Sequence, residues 1–470
     1  MVLPTSDQIL AKLRQSGLWD PLLGALGWIN RFLPLERPPL PPARPDADGL
    51  LSRHLGRPGT FVAGAALEDI TPSLAAKIYL AGFAADRAAA AIRDPLAARA
   101  LYLCDGRTPL VLVCLDLIGL SRSRAERMRR RIGGELAANV IIHCTHNHQG
   151  PDTLGLWGKS LLGFLPVKTG LDSGYLDFLE ARVARAARRA VEAAAPARLY
   201  LAQAGFDGEG RWVRNEHGPA QDRKVRLLQA RGEDGAAIAT LVQYACHPET
   251  LWREGTAISS DFCGVCCRAI EQERGGVGLY ANGALGAMVT TALDRSESEA
   301  ERERFMHGLG EALAELALRA LARARPQPRP RIRVARERVV FPVRDNRLFV
   351  LLHRLGIVET RELTDAIRSE AVLVGIGPAR LLGLPGEPEP ELAAALLDET
   401  GGRIRFLLGL ADDELGYLMP PEKFSDPAYA YESAMSPGPT ALEALRQAVS
   451  TLSRRLSDNG SRVRSQGGAD

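Results

Sequence analysis

Apolar and polar positions along this chain switch repeatedly between a period of two and a period near 3.6, and that switching predicts an α/β protein. Leu101-Tyr102-Leu103 and the run from Leu110 to Leu117 read as strands. The second is apolar at nearly every position, as expected of a strand covered on both faces. A basic helix is predicted over 122–136, a strand over 139–145 and a long Ala/Arg helix over 175–194. Strands follow over 197–204, 225–230 and 238–246, then helices over 262–273 and 299–324. Past a Pro/Arg-rich crossing at 323–330, Ile332, Val334 and residues 339–343 open a second sheet, continued at 371–375 and 403–410. The expected architecture is mixed β-sheets flanked by helices.

The two ends differ from this body. In residues 18–35, Leu22, Leu26, Ile29 and Leu33 recur at helical spacing beside Trp19 and Trp28, while Asp20, Pro21 and Arg31 interrupt the apolar run. The segment is too broken to span a bilayer. It fits either a helix packed on the body or one lying in a membrane interface. Residues 36–47, ERPPLPPARPDA, form a Pro-rich connector. The expected division is an N-terminal piece over 1–45, a single large body over 46–455, and a polar, Gly/Ser-rich disordered tail over 456–470.

Composition narrows the function classes. A net charge of +3 with basic residues scattered through Ala-rich helices argues against nucleic acid as the main partner. Seven cysteines, an odd number, with no recognisable export signal, point to reduced thiols and a cytoplasmic protein, with residues 18–35 as the point of any peripheral membrane contact. Cys263 and Cys266 have CxxC spacing, but no second pair completes a structural zinc site.

The chemistry concentrates at strand ends. Three of the eight histidines, His143, His146 and His148, fall within six residues where the 139–145 strand runs out into Gly150-Pro151. In an extended backbone His146 and His148 share a side, with His143 opposite and structural. His247 ends the 238–246 strand before Pro248, and Asp261 stands where it would cap the following helix. Glu387 follows Leu384-Pro385-Gly386, and Tyr417 lies in Asp413-Glu414-Leu415-Gly416-Tyr417, beyond the 403–410 strand. Each signal alone is weak. Together they bring two histidines, a glutamate and a tyrosine to the ends of different strands.

The ordered series of motifs resembles the neutral/alkaline non-lysosomal ceramidase family, in its N-terminal catalytic domain. It runs through Leu67-Glu68-Asp69-Ile70-Thr71-Pro72, Asp94-Pro95-Leu96-Ala97-Ala98-Arg99-Ala100 and Asp116-Leu117-Ile118-Gly119-Leu120. The His-rich run through Trp157-Gly158, the Pro-Gly-Glu and Gly-Tyr turns, and Tyr431-Glu432 complete it. The resemblance spans residues 60–435 and implies a zinc amidase that cleaves an N-acyl bond of ceramide type. It implies His146, His247, Glu387 and Tyr417 as Zn2+ ligands, His148 as the proton-handling residue, and Tyr431 as a donor to the developing oxyanion. Arg214, or Arg211, corresponds to an arginine that reaches the substrate. The chain departs from the family at Asn282–Thr290, where the usual Gly-Asp-Val-Ser-Pro turn lacks its Asp and Ser, so a serine nucleophile has no residue to carry it. It also ends where many ceramidases continue into a β-sandwich.

The Leu-rich insert 154–174, with Trp157 and Phe164, offers a wall for an acyl chain or a structural flap. The expected partner is a small, lipidic N-acyl substrate. Two alternatives stand beside the amidase: a metal-dependent hydrolase of an ester or phosphoester, and a lipid-binding protein that keeps the fold without turnover. Phosphoesterases more often use several carboxylates around two metals, and the sequence assures only one here.

Overall fold

A computed structural model describes residues 59–161, 165–166, 168–207, 209–291, 298–342 and 366–464. The helix expected over 18–35, the Pro-rich connector and Phe164 lie outside these residues. An eight-stranded mixed sheet is built from β1 (Val62–Asp69), β2 (Ala97–Cys104), β3 (Pro109–Leu115), β4 (Val140–Cys144), β5 (Ala195–Gly205), β6 (Lys224–Gly232), β7 (Ala237–Tyr244) and β8 (Val277–Asn282). Their order is β8-β7-β6-β5-β1-β2-β3-β4. The outermost pairs, β3 with β4 and β7 with β8, are parallel, and the pairs between them are antiparallel. A second sheet, β9 (Ile332–Pro342), β10 (Ala366–Ile376), β11 (Ala379–Gly383) and β12 (Ile404–Leu408), stands in that order, with only the β11–β12 pair parallel.

The two sheets pack face to face. Leu101, Leu112, Ile141, Leu228 and Leu241 of the large sheet meet Val372, Val374, Leu381 and Phe406 of the small one. Helices cover both outer faces. The outer face of β1–β4 is covered by α1 (Arg122–Ile132) and α2 (Ser173–Glu192), and that of β6–β8 by α3 (Asp261–Arg274) and α4 (Glu299–Ala322). On the small sheet lie α5 (Pro390–Glu399) and α7 (Ala441–Arg464), while the short α6 (Ala430–Ala434) sits before the last helix. Helix, sheet, sheet, helix is the arrangement the hydrophobic periods imply, and it explains why β3 is buried at all seven positions.

Most predicted elements are present within a few residues of the expected ends. β1 was not legible because VAGAALED is dominated by Ala and Gly, which give little strand signal. α7 runs past residue 455, where the polar composition suggested a tail, and Leu456 is buried against the small sheet. The seven cysteines are all free and buried, and Cys263, Cys266 and Cys267 belong to the core under α3. No helix among the described residues is long and apolar enough to cross a membrane.

One electrostatic clamp fixes α2 to β1. Arg182, Arg185 and Arg189, on successive turns, converge on the buried Glu68 carboxylate. Burial alone would raise this carboxyl, but the three guanidiniums outweigh it and hold it at about 2, against an ordinary 4.5. A depressed folded-state value contributes stability above pH 4.5 that is lost as the pH falls toward 2. Glu68→Gln is therefore expected to cost about 1–2 kcal/mol at neutral pH, the partly exposed arginines limiting the figure. The cost should shrink below pH 4.5, as urea unfolding at several pH values will show.

Candidate metal centre

Four chain ends converge where the two sheets meet. His146 lies two residues past β4 and His247 three past β7, while Glu387 follows β11 and Tyr417 follows β12. Buried hydrogen bonds weld these ends together. His143 Nδ1–H donates to the Gly409 carbonyl (2.6 Å), and its Nε2 accepts from the Asn282 N–H (2.9 Å). His143 is thus structural, as its place on the opposite strand face implied.

Asn282, at the end of β8, holds both histidine loops. Its side-chain amide donates to Thr145 O (2.9 Å) and Cys246 O (2.7 Å), and its Oδ1 accepts from the Cys246 N–H (3.1 Å). Each carbonyl belongs to the residue just before a site histidine. Asn282→Ala leaves these buried groups without partners. It is expected to lower unfolding free energy by about 3 kcal/mol in urea titrations. A loss below ~1 kcal/mol would mean that the two loops hold their places without it.

The site histidines face one carboxylate oxygen. His146 Nδ1–H donates to Ile118 O (2.8 Å) and His247 Nδ1–H to Met288 O (3.0 Å). That fixes both tautomers and leaves each Nε2 as the inward atom. Both point at Glu387 Oε2, at 3.3 and 3.0 Å. Two lone pairs aimed at an anionic oxygen repel unless a cation lies among them, and a single proton can serve only one pair. A metal ion satisfies all three. Burial, with His247 nearby, lowers His146 to about 4. At His247 burial acts the same way, but the hydrogen bond and charge of Glu387 outweigh it and raise the ring to about 9.

His148 completes a second triangle. The ligand atoms of His146, His148 and His247 lie within 4.8 Å of one another, as do those of His146, Glu387 and Glu414. Neither ring nitrogen of His148 has a hydrogen-bond partner within the described protein, although the residue is only 8 % exposed. Burial and the two neighbouring imidazoles push it well below the usual histidine range, so it is neutral. Phe83 packs edge-on against its ring at 4.8 Å, and the buried Arg87 guanidinium donates to its carbonyl and to Ala81 O. Gly82 makes that approach possible: with φ at +102°, a Cβ there would lie 2.4 Å from His148 Nδ1.

The clustering of His146 and His148 does not arise from an extended backbone. The strand ends at Cys144, and His146 has φ of +69°, a left-handed turn conformation that a non-glycine residue adopts at some cost. The rings still meet, with centroids 4.9 Å apart.

Glu414 is the site residue the sequence did not single out. Its Oε1 accepts from the Gly416 N–H (2.8 Å), and its carboxyl faces that of Glu387. Burial and the charge of Glu387 push its carboxyl well above the ordinary range. Gly119 leaves room for it, since a Cβ there would lie 2.7 Å from Glu414 Cγ. The expectation of a single carboxylate is therefore corrected to two. Glu414 was hidden because only the loop after β12, folded back on Glu387, brings them together.

Tyr417 pairs in parallel register with Glu387. Burial and the Glu387 charge keep its phenol well above the ordinary value. Both residues line a cleft that also takes in His146, His148, Glu414, Tyr431 and the apolar Leu154, Leu156 and Trp157. Asp152 shapes that apolar wall by accepting from the backbone N–H groups of Leu154, Gly155 and Trp157. Tyr431 is 43 % exposed, its ring 6.0 Å from that of Tyr417.

Two expected positions fall elsewhere. In the ribbon Val213–Asn215 the side chains alternate, so Val213 is buried and Arg214 points to solvent, outside the cleft lining. Arg211 is also exposed and stacks on Trp212. Asp261 stands at the start of α3, as expected, but divides its carboxylate between that helix and Thr250. It is the first residue of that helix, and its carboxylate accepts from the Phe262 N–H of the first turn (2.6 Å) as well as from the backbone and hydroxyl of Thr250.

Comparison with solved structures places this fold. The neutral ceramidase from Pseudomonas aeruginosa superposes with a TM-score of 0.70 at 17 % identity, over 84 % of this chain and 75 % of that one. A ceramidase complexed with C2 matches at a TM-score of 0.71 and 16 % identity, over 85 % of this chain and 76 % of that one. This chain has the same fold as those ceramidases. No protein-family model matches it, and no curated protein matches it in sequence.

Proposed function

We propose that this protein is a zinc-dependent amidohydrolase that cleaves a lipidic N-acyl amide of ceramide type. The observation that carries the reading is the pair of Nε2 atoms of His146 and His247, with their outer nitrogens committed to carbonyls, facing one Glu387 oxygen. Those three residues and Tyr417 are the ligand set. When bound, Zn2+ supplies Lewis acidity, polarising an amide carbonyl and lowering the pKa of water toward ~7.

The chain's own residues supply the rest. Neutral His148, whose ring nitrogens have no hydrogen-bond partner among the described residues, takes the proton from the attacking water and passes it to the departing amine nitrogen. Water adds to the carbonyl carbon, the C–N bond breaks, and a carboxylic acid and an amine leave. Tyr431, at the cleft wall, donates its hydroxyl hydrogen to the oxygen that becomes anionic. Leu154, Leu156 and Trp157 receive the acyl chain and exclude water from the reacting carbonyl.

The second carboxylate, Glu414, favours one other reading, a metal-dependent phosphoesterase or esterase, because such sites commonly gather carboxylates. A substrate panel separates the two. N-acyl amides of increasing chain length, matched alkyl esters and an aryl phosphate are assayed on the zinc-loaded protein. Preferential turnover of long-chain amides supports the proposal; a dominant phosphate activity sinks it.

A further inference from the structure

A second cluster of ligating side chains lies at the edge of the cleft, outside the centre described above. Atoms of Glu216, His217 and Glu432 come within 4.8 Å of one another. His217 Nε2 and Glu432 Oε1 are 2.7 Å apart, and both side chains are mostly withdrawn from water. Glu432 is only 5 % exposed, yet its Oε2 is buried with no hydrogen-bond donor among the described residues. Leaving one oxygen of a buried carboxylate unsatisfied is unfavourable, and such a group calls for a ligand.

The cluster is held in place before anything binds. Asn215 Oδ1 accepts from the N–H groups of His217 and Gly218, and its amide donates to Ala220 O, which closes the turn. The Glu216 N–H donates to Ala287 O. The imidazole of His217 lies against Tyr429, with ring centroids 4.3 Å apart. Glu432 belongs to α6, beside Tyr431.

We propose that Glu216, His217 and Glu432 form a second divalent-cation site, which fastens the 215–217 turn to the helix carrying Tyr431. One imidazole and two carboxylates suit a borderline ion such as Zn2+, Co2+ or Mn2+. Ca2+ seeks six to eight oxygens and is poorly served here. The ion satisfies Glu432 Oε2 and draws the exposed Glu216 inward. It also joins α6 to a turn whose strand partner, Met288, orients His247 through its carbonyl. A cation at this edge would thus steady both the pocket-wall tyrosine and one support of the main centre.

The site rests on its own residues, and metal counting keeps it separable from the proposed function. The whole protein is dialysed to equilibrium against Co2+ or Zn2+, and bound metal per chain is measured for wild type, Glu216→Ala/His217→Ala, and His146→Ala. Each variant is expected to lose one ion relative to wild type. Circular dichroism verifies that the double variant folds, and Glu216→Ala alone, at an exposed position, provides a second variant that loses a ligand without disturbing packing. Glu432→Gln, which keeps the shape and removes the charge, should weaken binding of the second ion at least tenfold. An unchanged count in Glu216→Ala/His217→Ala overturns the second site, whatever the first does. An unchanged count in His146→Ala, with the other variant one ion short, instead overturns the main centre and leaves the second site standing.

Discussion

His146→Ala is expected to abolish both metal retention and turnover. Mutating an outer-shell partner of a metal ligand typically weakens binding 10–100-fold, so removing the ligand itself should cost at least ~10²-fold. The arrangement around Glu387 sharpens this. Without the His146 Nε2, only one imidazole, that of His247, faces Glu387 Oε2, and one shared proton then satisfies that pair as well as a metal would. The truncation also leaves a cavity where the buried imidazole filled space against His148 and His247. Equilibrium dialysis against zinc, with urea unfolding as a control for the fold, measures the effect. A variant that folds and binds zinc as tightly as wild type would remove His146 from the ligand set.

Tyr431→Phe should give the opposite division of effects. The ring lines the cleft beside Tyr417 but is 43 % exposed, so deleting its hydroxyl should change stability by less than about 0.5 kcal/mol. Loss of one donor to a developing oxyanion commonly lowers kcat about 10²–10³-fold. The variant is expected to keep its metal and bind substrate while kcat falls by that factor. Metal loss, or an unchanged kcat, would refute the assigned role.

The sequence carried the layered architecture further than the local geometry. Two periods of hydrophobicity were enough for mixed sheets between helices, because each strand with two covered faces reads as an unbroken apolar run. The small sheet's partners on the large sheet were not legible, since nothing in Leu101 or Val372 names its neighbour across 271 residues. At the site, His146, His148, His247, Glu387 and Tyr417 were all found at strand ends, where the fold brings them together. A left-handed turn at His146, not the extended strand that the pattern suggests, gathers His146 and His148. Glu414 could not be recognised, because a carboxylate beside a Gly-Tyr turn is ordinary until tertiary structure sets it against Glu387. Asn282 looked like a departure from a familiar turn. In the fold it is the residue that ties two histidine loops together.

Arg214 shows the limit of matching positions by spacing. One step along a ribbon separates a buried side chain from a solvent-facing one, and the motif around Arg211 and Arg214 was too loose to fix that step.

The most direct measurement is hydrolysis of a long-chain N-acyl amide as zinc is removed and restored. Protein stripped with a chelator and shown to be metal-free by mass spectrometry should lose activity. Adding Zn2+ should restore it, while His146→Ala given the same zinc should remain inactive. Full amide hydrolysis by the folded, metal-free protein would contradict the metal centre at its root.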